Sequence, residues 1–222
     1  MSRWDSGPPK LWDCDIHWPH PGSELIIAEG DSAGEYVRAH CDGRWQGVLA
    51  MQGKPMNAVK ASRKRVTSNE QLLTLRDAIG AGWGEEFALS KRRYERLILM
   101  FDPDADGIHS RALTLLFLYA WMRPLLDAGV VFTARPPLWE LRAKDLDDPI
   151  FAFTDHQAEQ LRGRLAEDGH TVVSRERFRG LASMSEETLI HTCLSPDTRR
   201  LSPLEARHAE AVLASYERMK PE

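Results

Sequence analysis

The sequence predicts an α/β protein: a mostly parallel β-sheet flanked by helices, followed by a smaller α+β appendage. Three observations carry the prediction. Short, unbroken apolar runs recur in "ELIIAEG" (24–30), "WQGVLAMQG" (45–53), "RLILMF" (96–101) and "VVFTARPPL" (130–138), as expected for strands buried on both faces. Segments with helical patterning lie between them, and strand–helix alternation implies parallel pairing with right-handed crossovers. After Trp139 the texture changes to shorter, more polar segments.

In chain order, residues 1–23 are rich in Pro, Gly, Trp and His and read as an irregular lead-in packed through Trp12 and Trp18. The first strand ends in Glu29-Gly30, and "SAGEYVRAH" follows as a short helix. "TSNEQLLTLRDAIGAG" (67–82) opens on capping residues and closes on glycines, which marks a helix with its stop. "HSRALTLLFLYAWMRPLLDAG" (109–129) reads as one long helix, apolar on most sides. In the appendage, "IFAFTD" and "HTVVSRER" read as strands around the helix "DHQAEQLRGRLAEDG", and two helices over 185–194 and 202–219 close the chain. The expected organisation is therefore a lead-in at 1–23, a compact α/β unit at 24–138 and an appendage at 139–222.

Composition narrows the function classes. The chain has 222 residues, 42% of them hydrophobic and 28% charged, as in ordinary globular proteins. No apolar stretch is long enough to span a membrane, and the N-terminus lacks the apolar core of a secretory signal. Cys14, Cys41 and Cys193 are far apart, without a C-x-x-C pair, which fits reduced cytoplasmic thiols rather than disulfides or a zinc site. The net charge of −4 gives no global attraction to nucleic acid, so DNA contacts must come from local basic patches.

The strongest chemical signal is "LILMFDPDADGIHSR" (97–111), where Asp102, Asp104 and Asp106 follow a buried strand at every second position. Like charges this close resist burial unless a cation neutralises them. Functional groups of open α/β sheets gather at the carboxyl ends of strands, where Glu29 also falls. If the first and third strands are neighbours, four carboxylates converge on one edge, a donor set suited to Mg²⁺. "DPDADG" also begins like an EF-hand loop, but the twelfth position, which needs a bidentate Glu, is Leu113. The plain alternative is a solvated acidic turn capping the next helix.

"EGDSAG" (29–34) taken alone is a helix start, and Lys54 in "QGKPMN" (52–57) taken alone is a surface lysine. Together and in this order, however, the segments resemble the TOPRIM region of type IIA topoisomerases, specifically the B subunits of gyrase and topoisomerase IV. The resemblance runs through "KLWDC" (10–14), "ELIIAEGDSAG" (24–34), "QGKPMNAVKA" (52–61), "LILMFDPDADGIHSRALTL" (97–115) and "RPPLWEL" (135–141). It resumes in "RERFRGLASMSEETLIHTCLSPDTRRL" (175–201), similar to the tail that follows TOPRIM in those subunits. Those subunits begin with an ATPase module; no glycine-rich ATP-binding segment is expected in this chain.

The resemblance implies a TOPRIM-type fold and Mg²⁺-dependent (or Mn²⁺-dependent) cleavage and religation of double-stranded DNA. The nucleophilic tyrosine would come from a gyrase A-type partner, with any ATPase on a separate chain. It implies Glu29, Lys54 and Asp102 as the catalytic set, with Glu29 as general acid/base at the 3′-oxygen. Glu29, Asp102, Asp104 and Asp106 would hold metal, and Lys54, Lys60, His109, Arg111, Arg177 and Arg179 would face DNA. Where relatives continue Gly-Glu after "RFKGL", this chain has Ala182-Ser183 after "RFRGL". Tyr36, Tyr94, Tyr119 and Tyr216 match no nucleophile context, and Tyr119 is expected in the core. Two other readings stand beside topoisomerase-type cleavage: a non-catalytic module that binds DNA or a topoisomerase, and a standalone TOPRIM nuclease.

Overall fold

A computed structural model describes residues 8–218; residues 1–7 of the expected lead-in and 219–222 after the last helix lie outside the described residues. A six-stranded sheet is built around three apolar strands, β2 (Glu24–Glu29), β3 (Gln46–Met51) and β4 (Arg96–Met100). Its order is β1-β3-β2-β4-β5-β9, with β1 spanning Leu11–Trp12, β5 Val131–Ala134 and β9 Leu201–Pro203. The inner four strands run parallel, while β1 and β9 are antiparallel edge strands. The condition set by the sequence is met: β2 and β4 are neighbours, with Ala28 opposite Met100, so Glu29 and Asp102 leave the sheet side by side.

Because successive strand residues point to opposite faces, the central strands sort their side chains cleanly. Leu25, Ile27, Leu49, Leu97 and Leu99 face α3 (Glu70–Ile79) and α4 (Ala105–Trp121) through Leu72, Leu75, Leu116 and Phe117. Ile26, Ala28, Val48, Ile98 and Met100 face α1 (Gly30–His40) and a set contributed by the tail, including Phe178, Leu181, Leu189 and Leu194. One face of the sheet is therefore covered in part by residues beyond 139. Glu24 and Arg199 form a buried ion pair between β2 and the tail, to which Gln46 adds a hydrogen bond from Nε2 to Glu24 Oε2 at 3.0 Å. A three-stranded sheet, ordered β7-β6-β8, comprises β6 (Trp139–Ala143), β7 (Ile150–Ala152) and β8 (Val172–Arg177), packed on α6 (Asp155–Glu167).

Several boundaries differ from the sequence reading. The lead-in contributes β1. The basic run at 60–65 enters a short helix, α2 (Arg63–Thr67), capped by Ser62. The long helix expected at 109–129 starts earlier, because Asp104 caps it, and breaks at Met122. Pro124 then sits in the first turn of α5 (Arg123–Asp127), where its missing N–H costs nothing. The expected strand at 130–138 ends at Ala134, before Pro136-Pro137. In the 185–194 segment, α7 (Glu186–Leu189) passes into a π-type turn at Ile190–Leu194. The 202–219 segment yields strand β9 first, then helix α8 (Ala206–Arg218).

Candidate active site at the strand ends

Glu29 closes β2, and Gly30 follows at φ +79°, a conformation that lets α1 start at once. Its Oε1 accepts a hydrogen bond from Ser110 Oγ at 2.9 Å, across from α4. Asp102 lies just past β4, and its Oδ1 accepts from the backbone N–H of Leu181 at 2.9 Å, so a tail loop holds it in place. Asp104 caps α4, accepting from Gly107 N–H at 2.8 Å. Asp106 is exposed and pairs with Lys54 Nζ at 2.7 Å. Two glycines allow this crowding. A Cβ on Gly107 would lie 2.2 Å from the Asp102 carbonyl oxygen, and one on Gly180 would lie 2.8 Å from Asp102 Oδ2.

The electrostatics reflect carboxylates crowded at one sheet edge. Burial raises the Glu29 pKa and repulsion from Asp102, Asp104 and Asp106 adds to it, while the Ser110 hydrogen bond opposes. Asp102 is likewise raised by burial and by Asp104, against the Leu181 N–H. Asp106 is lowered through its hydrogen bond from Lys54 and the lysine charge. An all-carboxylate set suits a hard cation, and Mg²⁺ is commonly held by one or two carboxylates with waters completing its shell. Glu29 and Asp102 fit that inner role. Asp104 and Asp106 each have one oxygen engaged, by the α4 cap and by Lys54, which suits them to an outer position.

Among the described residues, the grouping of three potential ligands that falls within 4.8 Å is elsewhere, at Asp13, Cys14 and His17. Its chemistry is that of a structural knot. Asp13 accepts hydrogen bonds from Tyr94 at 2.6 Å and from Arg93, and contacts His17 at 2.8 Å. Burial pushes the Cys14 thiol up to about 12, and it donates to the Ile16 carbonyl instead. With a guanidinium already seated there, a metal has little to gain.

The expected DNA-facing residues divide among three places. Lys54, Lys60 and His109 share one flank of the acidic edge with Tyr216: Lys60 Nζ lies 5.0 Å from the Tyr216 ring, and the His109 ring 6.3 Å from it. Arg111 is on the other flank, half-buried, with Nη1 donating to Thr133 Oγ1 at 3.4 Å. Arg179 is exposed in the tail loop that holds Asp102. Arg177 stands apart on β8, 3.5 Å from Asp155 and near the Trp139 ring. Tyr119, expected in the core, is half-buried at the α4–α8 contact, where its hydroxyl donates to Glu210 at 3.1 Å. Tyr94 is the fully buried tyrosine.

Sequence reasoning missed Ser110, Gly180, the Leu181 N–H and Ser183. The Ser183 hydroxyl accepts from Arg179 and Gly180 N–H, at 3.0 and 3.2 Å, and shapes the loop. Ser110 carried a signal, a polar residue between His109 and an apolar helix; a backbone N–H carries none.

A sheet edge of this kind, with an acid after one parallel strand and an aspartate series after its neighbour, defines a class, and the comparison with known families agrees. The chain belongs to the Toprim domain family, which matches residues 24–135. Within it, the chain is similar to DNA gyrase B subunits: 39% identical to that of Archaeoglobus fulgidus over 87% of this chain, 39% to that of Haloferax lucentense over 92%, and 36% to that of Streptococcus pneumoniae over 92%. It spans about a third of the length of these relatives, 29%, 31% and 32% respectively.

Proposed function

We propose that the chain supplies the Toprim component of a type II topoisomerase-like, metal-dependent reaction that cleaves and rejoins DNA with the nucleophilic tyrosine on an A-type partner. The observation that carries this is the meeting of Glu29 and Asp102 at adjacent parallel strand ends, both with pKa raised by burial. The partner's phenol gives up its proton to solvent as its oxygen attacks a backbone phosphorus, the phosphorus–O3′ bond breaks, and Glu29 in its acid form protonates the departing 3′-oxygen. On religation the same carboxylate removes that proton. Bound Mg²⁺ or Mn²⁺ would supply Lewis acidity next to that oxygen.

Glu29 and Asp102 would hold the metal ion, with Asp104 and Asp106 as the further carboxylates available to it. Lys54, Lys60, His109, Arg111 and Arg179 neutralise phosphates around them, contacts that add affinity without reading sequence. Arg177, paired with Asp155, contributes only if that pair opens. The reaction belongs where the DNA is, in the cytoplasm; among the described residues no helix is long and apolar enough to cross a membrane.

The test mixes the chain with an A-type subunit, Mg²⁺ and supercoiled plasmid, then traps with detergent. A covalent protein–DNA adduct on the partner that vanishes with Glu29→Gln supports the proposal. DNA cut to free ends without a partner would make it a nuclease, and intact plasmid with retained DNA binding a non-catalytic module. Tyr216, on the cationic flank, is the in-chain tyrosine to exclude: if Tyr216→Phe abolishes the adduct, the nucleophile is not the partner's.

A further inference from the structure

The far flank of the acidic edge contains a cavity of about 570 Å³ that adjoins the proposed reaction centre through Asp102 and Arg111. This volume lies in the range of small-molecule sites, which combine apolar walls with a few placed polar groups. Ile108, Leu115, Phe153 and Leu204 supply apolar wall, and Ile108 stays 52% exposed at the same cavity. Arg111 from α4 and Arg135 from the loop after β5 bring two guanidinium groups to it.

Their partners are neutral. Arg111 Nη1 donates to Thr133 Oγ1 at 3.4 Å, and Arg135 Nη2 to the Phe153 carbonyl at 3.2 Å, with its guanidinium 5.5 Å from the Phe153 ring. The two carboxylates that line the same cavity are already engaged: Asp102 with the Leu181 N–H, and Asp155 with Trp139 Nε1 at 2.9 Å and with Arg177. Arg111 therefore carries the cost of burial and of repulsion from Arg135 without an anion to relieve either.

We propose that this cavity is a nucleotide subsite, with a phosphate bridging Arg111 and Arg135 and a base lying against Phe153 and Ile108. Paired guanidiniums are suited to phosphate oxygens, and planar apolar surface to a base, whatever its identity. The source of the nucleotide is either a strand of the bound DNA, which rests on the function proposed above, or a free nucleotide, which does not.

The experiment titrates the full chain, in Mg²⁺-free buffer, with thymidine 5′-monophosphate, thymidine and inorganic phosphate, following amide and side-chain resonances. The nucleotide is expected to bind more tightly than either fragment, and Arg135→Ala to weaken it about tenfold or more, the loss typical of a charge-assisted contact. Arg135 is exposed, so that variant keeps its melting temperature; Arg111→Gln should weaken binding similarly. Unchanged binding in Arg135→Ala and Arg135→Glu, or a nucleotide no tighter than phosphate, overturns the proposal. Displacement of the nucleotide by a duplex with a single-stranded overhang assigns the site to a DNA strand; persistence assigns it to free nucleotide. The readout needs no cleavage, so a chain that binds nucleotide yet never cleaves DNA removes the proposed function and leaves the subsite standing.

Discussion

The carboxylate of Asp102 is held by the backbone N–H of Leu181, 2.9 Å away and 79 residues further along the chain. A tail loop thereby sets the orientation of a side chain that the parallel sheet delivers. Gly180 makes the approach possible, since its Cβ would sit 2.8 Å from the other Asp102 oxygen. Gly180→Ala is expected to rotate that carboxylate and weaken Mn²⁺ binding by about tenfold, as disturbed metal-orienting contacts do. Titration followed by paramagnetic broadening checks it; an unaltered affinity would mean the loop does not set the ligand geometry.

Gly107 is under a harder constraint, because its substituent would meet backbone at 2.2 Å rather than a side chain. Gly107→Ala should cost about 1–3 kcal/mol, the range for overpacking, read as a lower urea midpoint. A variant as stable as the parent would show that α4 can shift without penalty.

Asp13 ties the lead-in to the segment before β4. Burial alone would raise its pKa, but hydrogen bonds from His17 and Tyr94 and the Arg93 charge prevail and lower it to about 2 from 3.8. A depressed folded pKa means the contribution is present above the unfolded value and is lost as pH falls from about 3.8 through 2. Allowing for solvent at this partly buried site, Asp13→Asn should lose about 1–2 kcal/mol at neutral pH. The gap between parent and variant should close near pH 2; a constant gap would assign the effect to lost packing instead.

Glu24 and Arg199 are paired out of water, and Arg199 Nη1 has no hydrogen-bond partner. Without Arg199, Glu24 keeps only the partly exposed Arg96 at 3.6 Å as a cation, a poorer match for a buried charge. Arg199→Met is expected to destabilise by about 3 kcal/mol, and Glu24→Gln with Arg199→Met to recover much of it. Chemical denaturation of the single and double variants decides the point, and no recovery in the double variant would locate the cost in shape rather than charge.

Lys54 and Asp106 are both exposed, so their pairing adds little stability. Lys54→Ala should leave the melting temperature unchanged while reducing the salt slope of DNA binding by about one. An unchanged slope would show that Lys54 stays on Asp106 when DNA arrives.

The central strands were legible because burial on both faces leaves an unbroken apolar run, as in Leu25–Ala28 and Leu97–Phe101. The adjacency of β2 and β4 entered only as a condition, since order in a parallel sheet is not written locally. The two edge strands escaped notice for a different reason. Leu11–Trp12 is two residues long, and Leu201–Pro203 carries a proline that edge positions tolerate. The acidic residues of the candidate site stood out by spacing. What positions Asp102 did not, because Leu181 acts through its main chain and Ser183 through a local turn.

The sheet is closed at one side by β1 and at the other by β9, segments outside the stretch matched to the family. A polypeptide trimmed to 24–135 would uncover Val48 and Leu49 of β3 and the free side of β5, and would lose the tail residues that shield one face. Bare margins of this sort recruit strands from other molecules. The smallest piece with both sheet margins covered is therefore set by β1 and β9, and it is wider than the region that similarity alone delimits.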